Sequence, residues 1–137
     1  MSVKPIVRDT FFLMQKSEPA TEADGQVIQN LKDTLAAHRA ECVGMAANMI
    51  GARKNIIVVA AGSVSMIMVN PVIVRKNGSY EAEEGCLSLS GTKKTVRYRS
   101  IEVEYENEQF QKKKQKFSGM TAQIIQHECD HLKGILI

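Results

Sequence analysis

No stretch of this sequence is apolar for long enough to cross a membrane as a helix. The N-terminal Met1-Ser2-Val3-Lys4-Pro5-Ile6-Val7-Arg8-Asp9 also lacks the apolar run of a signal peptide. A cytoplasmic location with no membrane partner is therefore expected. Cysteine is scarce: Cys42, Cys86 and Cys129 form an odd set, which argues against a disulfide framework and leaves metal ligation or burial for these thiols. A strong charge of one sign is missing too, the net charge being +3. Much of it sits in Lys112-Lys113-Lys114 and Lys116, between Phe110 and Phe117. That run reads as a solvated strand, and no nucleic-acid-binding motif accompanies it, so direct nucleic-acid recognition is not expected. Internal repeats, linkers and low-complexity segments are absent. A chain of 137 residues is long enough to bury most of its apolar surface, so residues 1–137 are expected to form one domain.

The expected order is helix, several antiparallel strands, helix. Residues up to Ala20 are poorly periodic, with Pro5 and Pro19 as breakers. Thr21 or Asp24 can cap a helix whose apolar positions Val27, Ile28, Leu31 and Leu35, with His38, follow helical spacing to about Glu41. Residues 42–51 are small and apolar between two glycines, Gly44 and Gly51, which suggests close approach of the backbone to another element or a ligand. Ile56 to Val59 and Ser65 to Val69 read as a hairpin around Gly62, broken at Asn70-Pro71. Val72 to Arg75 then starts a strand that ends at Asn77-Gly78. Val96 to Arg99 and Ile101 to Tyr105 alternate as half-exposed strands do, and Gln109 to Phe117 supplies the last one. The fold class is α+β: antiparallel sheets packed around a C-terminal metal-binding helix, with an N-terminal helix.

That C-terminal helix carries Gln126-His127-Glu128-Cys129-Asp130-His131. Residues four apart lie one above the other, so His127 and His131 can aim at a single ion, with Glu128 beside them to take a proton from a water. Ser118 is a candidate N-cap and Gly134 a stop. Met120, Ile124 and Ile135 share the histidines' face, which places both imidazoles inward. Two buried histidines and an acid on one short helix are hard to satisfy without a cation.

Two histidines do not hold a catalytic metal, so a third ligand is needed. In the pattern His-Glu-x-x-His-x-x-Gly-x-x-His of the metzincin proteases it follows on the same segment, but the corresponding position here is Ile137, and Leu132 to Ile137 offer no donor. The ligand must come from upstream. Cys86, in Glu84-Gly85-Cys86-Leu87-Ser88, is the best candidate, because glycine allows a sharp turn and the next backbone N–H stays free to donate. His38, Cys42 and Glu84 are rivals on composition alone. One Cys and two His would leave a fourth position open for water, as in a hydrolase.

Three stretches together resemble the peptide deformylase family, whose members carry Gly-x-Gly-x-Ala-Ala-x-Gln, Glu-Gly-Cys-Leu-Ser and Gln-His-Glu-x-x-His in this order. The second is complete as Glu84 to Ser88 and the third as Gln126 to His131. Val69-Asn70-Pro71 and the strand at Val96-Arg97 are also similar, so the resemblance covers roughly residues 25 to 137. It implies Cys86, His127 and His131 as metal ligands, Glu128 as general base and acid, and the backbone N–H of Leu87 as an oxyanion donor. It further implies removal of the formyl group from the N-terminal formylmethionine of nascent polypeptides, with iron(II) as the usual metal and zinc or nickel as substitutes. N-formylmethionyl peptides are then the expected partners, and the ribosome a further candidate. Val43, Gly44, Met45, Met49 and Ile124 are the expected substrate-binding residues.

The first motif departs from the family pattern. Aligning Gly44, Ala46, Ala47 and Gly51 places Cys42 where the first glycine belongs and Met49 where the glutamine belongs. That glutamine donates to the oxyanion, and a thioether has no hydrogen to donate. The sequence is also expected to lack the C-terminal extension of many members. Metal binding should survive these departures while turnover falls. The alternative is a deformylase-like paralogue acting as a binding protein with weak or no turnover. A third reading, a structural metal module closed by Cys42 or Cys129, would leave Glu128 idle.

Overall fold

The structure is a computed structural model that describes residues 3–40, 42–61, 64–86 and 91–136. The lead-in to Ala20 is irregular as expected, apart from one turn of helix, α1 (Thr10–Leu13), where the Asp9 carboxylate caps the Phe11 N–H. Thr21 and Asp24 form a reciprocal capping box around a short 3-10 turn, which feeds α2 (Gly25–Ala37). Its Ile28, Leu31, Thr34 and Leu35 are buried, and the helix stops at His38.

Five strands follow in one antiparallel sheet with the order of the sequence: β1 (Gly44–Ala46), β2 (Ile56–Ala61), β3 (Val64–Gly85), β4 (Thr92–Glu106) and β5 (Lys112–Ser118). The expected break at Asn70-Pro71 does not occur. β3 runs on through it, and the register with β4 slips between Val69 and Val72. Asn70 takes a left-handed φ of 50°, and its side chain accepts from the Ala20 N–H and donates to the Ala20 carbonyl and to Glu106. Proline is accommodated because it sits at this bulge, where a ladder donor is not required. The strand end expected at Asn77-Gly78 is absent too: Gly78 adopts φ 75° inside the ladder, and pairing resumes at Ser79 opposite Tyr98. The two expected segments Val96 to Arg99 and Ile101 to Tyr105 are likewise parts of the single strand β4.

The lysine run lies on β5 and is exposed throughout, which agrees with a solvated strand. Lys112, Lys114 and Lys116 stand opposite Glu106, Glu104 and Glu102 of β4, so cross-strand charge compensation, not a bare basic patch, explains their spacing.

The last element, α3 (Gly119–Leu132), lies across β1, β2 and β4, and together these bury the core around Met45, Ile57, Met68, Val103 and Ile125. Ser118 stands at the N-cap as expected, without a side-chain capping bond, while two other expectations for this helix need correction. Met120 and Ile135 are 67% and 44% exposed, so the apolar stripe is narrower than helical spacing suggests. Met120 falls in the first turn, beyond the sheet's cover, and Ile135 follows the helix end. Gly134, with φ 78°, does end the helix, and a Cβ there would collide with the Met14 carbonyl.

Candidate metal centre

The site forms where α3 meets the end of β3. Strand alternation turns Glu84 and Cys86 to the same side, towards α3. Gly44 of β1 allows the helix to come close: a Cβ there would lie 2.6 Å from Ile124 Cγ2 and 3.1 Å from Glu128 Oε2. The small residues of this segment therefore serve approach to an element and to a cavity at once. Gln126 fixes the helix to β4. Its amide accepts from the Tyr98 N–H at 2.9 Å and donates to the Tyr98 carbonyl at 2.9 Å. It stands in for the strand partner that β5, which pairs only from Ser100 onward, does not provide.

Cys86, His127 and His131 bring one donor atom each to a common point, all within 4.8 Å of one another. His131 Nε2 lies 3.1 Å from His127 Nε2 and 3.3 Å from Cys86 Sγ. Around a tetrahedral ion at ordinary N and S bond lengths, such pairs would stand about 3.3–3.6 Å apart, so the two pairs that involve His131 are already spaced within a few tenths of an ångström of ligation. The electrostatics agree with a cation. His127 is pushed up to about 10: burial opposes its charge, but hydrogen bonds to Cys86 and Glu84 and the charges of Glu128 and Glu84 outweigh it. His131 is pushed down to about 3, by burial and then by the neighbouring His127. Of the two imidazoles, His127 is favoured as the charged one and His131 is held neutral. The three residues could thus hold a divalent ion.

Of the rival ligands, His38 ends α2 and is not in this cluster. Cys42 lines the adjoining cavity, but its thiol donates to the Gly44 carbonyl at 2.8 Å. Cys129 is buried, with its thiol pushed up to about 12 chiefly by burial, and it is not in the donor group. Glu84 has a different task. Its Oε1 accepts from His127 Nδ1 at 2.8 Å, which leaves the Nε2 lone pair for an ion. Arg97 holds this carboxylate with Nε at 3.0 Å and Nη2 at 2.7 Å, and Gln123 adds a third donor at 2.9 Å. Burial raises the Glu84 carboxyl, yet these hydrogen bonds bring it down to about 2. Arg97 Nη1 reaches on to Asp130 at 2.7 Å, which closes a chain from Asp130 through Arg97 and Glu84 to His127.

Sequence reasoning missed this chain of charges. Two signals in the sequence point to it: the i, i+2 relation of Glu84 to Cys86, and Arg97 at an inward position of an alternating strand, where it is 3% exposed.

Glu128 is buried beside His127, and its Oε1 has no partner among the described residues. Burial raises its carboxyl to about 7, with His127 pulling it down and Glu84 pushing it up. A carboxyl poised there can both take and return a proton near neutrality. A cavity of about 550 Å³ opens onto it, lined by Val43, Gly44, Met49 and Ile124, with Met120 at its rim. Met45 does not line it; it is fully buried in the core beneath β1. Leu87 lies outside the described residues. Met49 sits in the cavity wall, where its sulfur accepts from the Ala46 N–H at 3.4 Å. The adjacent Asn48 points elsewhere, its amide donating to the His131 carbonyl at 2.8 Å.

Known proteins share this fold and much of this sequence. The polypeptide deformylase family model matches residues 3–137. The peptide deformylase of Clostridium beijerinckii is 57% identical, covering 98% of this chain and 99% of that protein. The one from Desulfitobacterium hafniense is 35% identical, covering 90% of this chain and 84% of that protein. Among solved structures, the Met-Ala-Ser-bound class I type b peptide deformylase from Acinetobacter baumannii superposes with a TM-score of 0.89 at 28% identity, covering 99% of this chain and 97% of that one. With the Cys-His-His cluster, the buried acid and the fold all in place, the chain belongs to the peptide deformylase family, whose members are metal-dependent hydrolases.

Proposed function

We propose that this chain hydrolyses the formyl amide at the N-terminus of nascent polypeptides, with Cys86, His127 and His131 holding one divalent ion and Glu128 moving the proton. The observation that carries this assignment is the convergence of three metal-donor atoms within 4.8 Å beside a buried carboxylate on a cavity wall. Iron(II) is the proposed cellular ion on the family resemblance alone, since a thiolate with two imidazoles accepts several divalent metals. When bound, the ion acidifies a water and polarises the formyl carbonyl.

The chain's own groups do the rest. Glu84 keeps His127 in the tautomer that presents Nε2, and Arg97 keeps Glu84 ionised and aimed. Glu128 takes a proton from the attacking water and delivers it to the departing amine. The water oxygen leaves in formate and the peptide leaves with a free N-terminus, so protons and atoms balance. Val43, Gly44, Met49 and Ile124 are placed to receive the methionyl end, and the Leu87 N–H is proposed, on the family resemblance, to hold the oxyanion. Among the described residues, no helix is long and apolar enough to cross a membrane. We place the enzyme in the cytoplasm as a single domain, where chains leaving the ribosome supply its substrate.

The test is formate release from formyl-Met-Ala-Ser by protein purified without oxygen and loaded with iron(II). Release is expected, with faster loss in air for the iron form than for the nickel or zinc form, because iron(II) and its thiolate ligand oxidise together. No formate from fully metallated protein would favour the binding-protein reading, which Met49, without an N–H to offer, supports.

A further inference from the structure

A polar relay runs outward from Glu84 along the inner face of β3. Tyr80, Glu84 and Cys86 are spaced by even numbers on that strand, and the residues between them are the more exposed ones. Gln123 and His127 are four apart on α3 and share a face, one turn from each other. The two faces meet at the Gln123 amide. Its Nε2 donates to Glu84 Oε2 at 2.9 Å, and its Oε1 accepts from the Tyr80 hydroxyl at 3.2 Å.

Chemistry allows this relay one direction only. Ionised Glu84 offers acceptors alone, so the amide presents its nitrogen there and its oxygen to Tyr80, whose hydroxyl must donate. Glu84 Oε1 accepts from His127 Nδ1 at 2.8 Å and Arg97 Nη2 at 2.7 Å, and Oε2 accepts from Arg97 Nε at 3.0 Å and from Gln123. Arg97 comes from β4. Among the described residues, Gln123 is therefore the group that ties Oε2 to the helix carrying His127. Tyr80 is held in turn. Gly78, at φ 75°, leaves room for the Arg99 stem, since a Cβ there would lie 3.3 Å from Arg99 Cβ. The Arg99 guanidinium then lies over the Tyr80 ring, 5.0 Å from its centre.

We infer that Tyr80 and Gln123 are positioning residues for the metal centre: the Tyr80 hydroxyl sets the Gln123 amide, and the amide holds Glu84 against His127 Nδ1. Neither is among the metal donors, and both act through Glu84. The inference rests on the reading of His127 as a metal ligand. Gln123 also lines the substrate cavity, so turnover would mix two effects, and metal affinity is the cleaner readout.

The test measures zinc affinity by competition with a chromogenic chelator and follows the His127 Nδ1–H proton by NMR in the zinc-loaded, ¹⁵N-histidine-labelled protein. Gln123→Met should weaken zinc binding roughly threefold to tenfold and Tyr80→Phe roughly twofold to fourfold, each less than loss of the Glu84 carboxylate itself. Both should move the His127 proton. The Tyr80→Phe/Gln123→Met double variant should bind no more weakly than Gln123→Met alone, because Tyr80 acts only through the amide. Tyr105→Phe removes a comparable bond, from its hydroxyl to Gln115 at 2.7 Å between β4 and β5, and should change neither readout. Single variants that leave both readouts unchanged would overturn the inference, as would losses that add in the double variant. Glu84→Gln identifies a failure at the deeper level: if it too leaves zinc affinity unchanged, or if the parent binds no zinc, the assignment of the metal ligands falls together with this inference.

Discussion

The Asn48 side-chain amide donates to the His131 carbonyl across 2.8 Å, in a setting where both residues are fully buried. This bond joins the segment after β1 to the helical turn that carries a metal donor. It also holds Asn48 away from the cavity, which its side chain does not line, so Asn48 is no substitute oxyanion donor. Asn48→Ala should leave that carbonyl with the Gly134 N–H alone and cost about 1 kcal/mol of stability. Urea unfolding of the metallated variant checks this. Turnover per bound metal should change little.

Met49 faces the cavity from the neighbouring position, and its sulfur accepts from the Ala46 N–H. In Met49→Gln, the side chain is nearly isosteric. Its carbonyl oxygen can take over the Ala46 bond, which turns the amide N–H₂ toward the cavity. Removal of one oxyanion donor typically costs about 10²–10³ in turnover, so regaining one should raise formate release markedly, up to that range. Steady-state kcat at saturating metal checks this, and an unchanged kcat would mean that the ion and backbone donors already suffice.

Arg97 supports the proposed metal site from a distance, through Glu84. Arg97→Met would leave Glu84 and Asp130 without their shared cation, a loss of about 3–5 kcal/mol for a buried pair broken on one side. Glu84→Gln is milder for the fold, but a neutral amide no longer draws the His127 Nδ1 proton as strongly. A metal affinity about 10–100-fold lower is expected, read from competition with a chromogenic chelator.

Acid should reveal the same network in the metal-free protein. The folded Glu84 carboxyl is held at about 2, below its ordinary 4.5, so its contribution is fully present above 4.5 and is lost as pH falls toward 2. The urea midpoint should therefore decline across that interval, and Glu84→Gln should flatten the decline.

How far the sequence reveals this molecule depends on which residues carry the information. His127, Glu128 and His131 are legible because helical spacing alone sets them on one face, and α2 is legible from the spacing of Ile28, Leu31 and Leu35. The continuity of β3 is not: Asn70-Pro71 and Asn77-Gly78 are turn signals in isolation, and only pairing to β4 turns them into irregularities of one strand. Met120 illustrates another limit, since periodicity assigns a face but not the place where the covering sheet ends. The Glu84–Arg97–Asp130 chain joins three elements, so no local pattern could show it as a network.

The most direct test of the central claim is a paired determination of metal content and formate release for Glu128→Gln against the parent, both loaded with the same ion. Among the described residues Glu128 Oε1 has no hydrogen-bond partner, and its carboxylate is assigned to proton transfer. The variant should keep about one metal per chain and lose about 10²–10⁴ in turnover. A variant that loses its metal, or one that keeps both metal and turnover, would contradict the account.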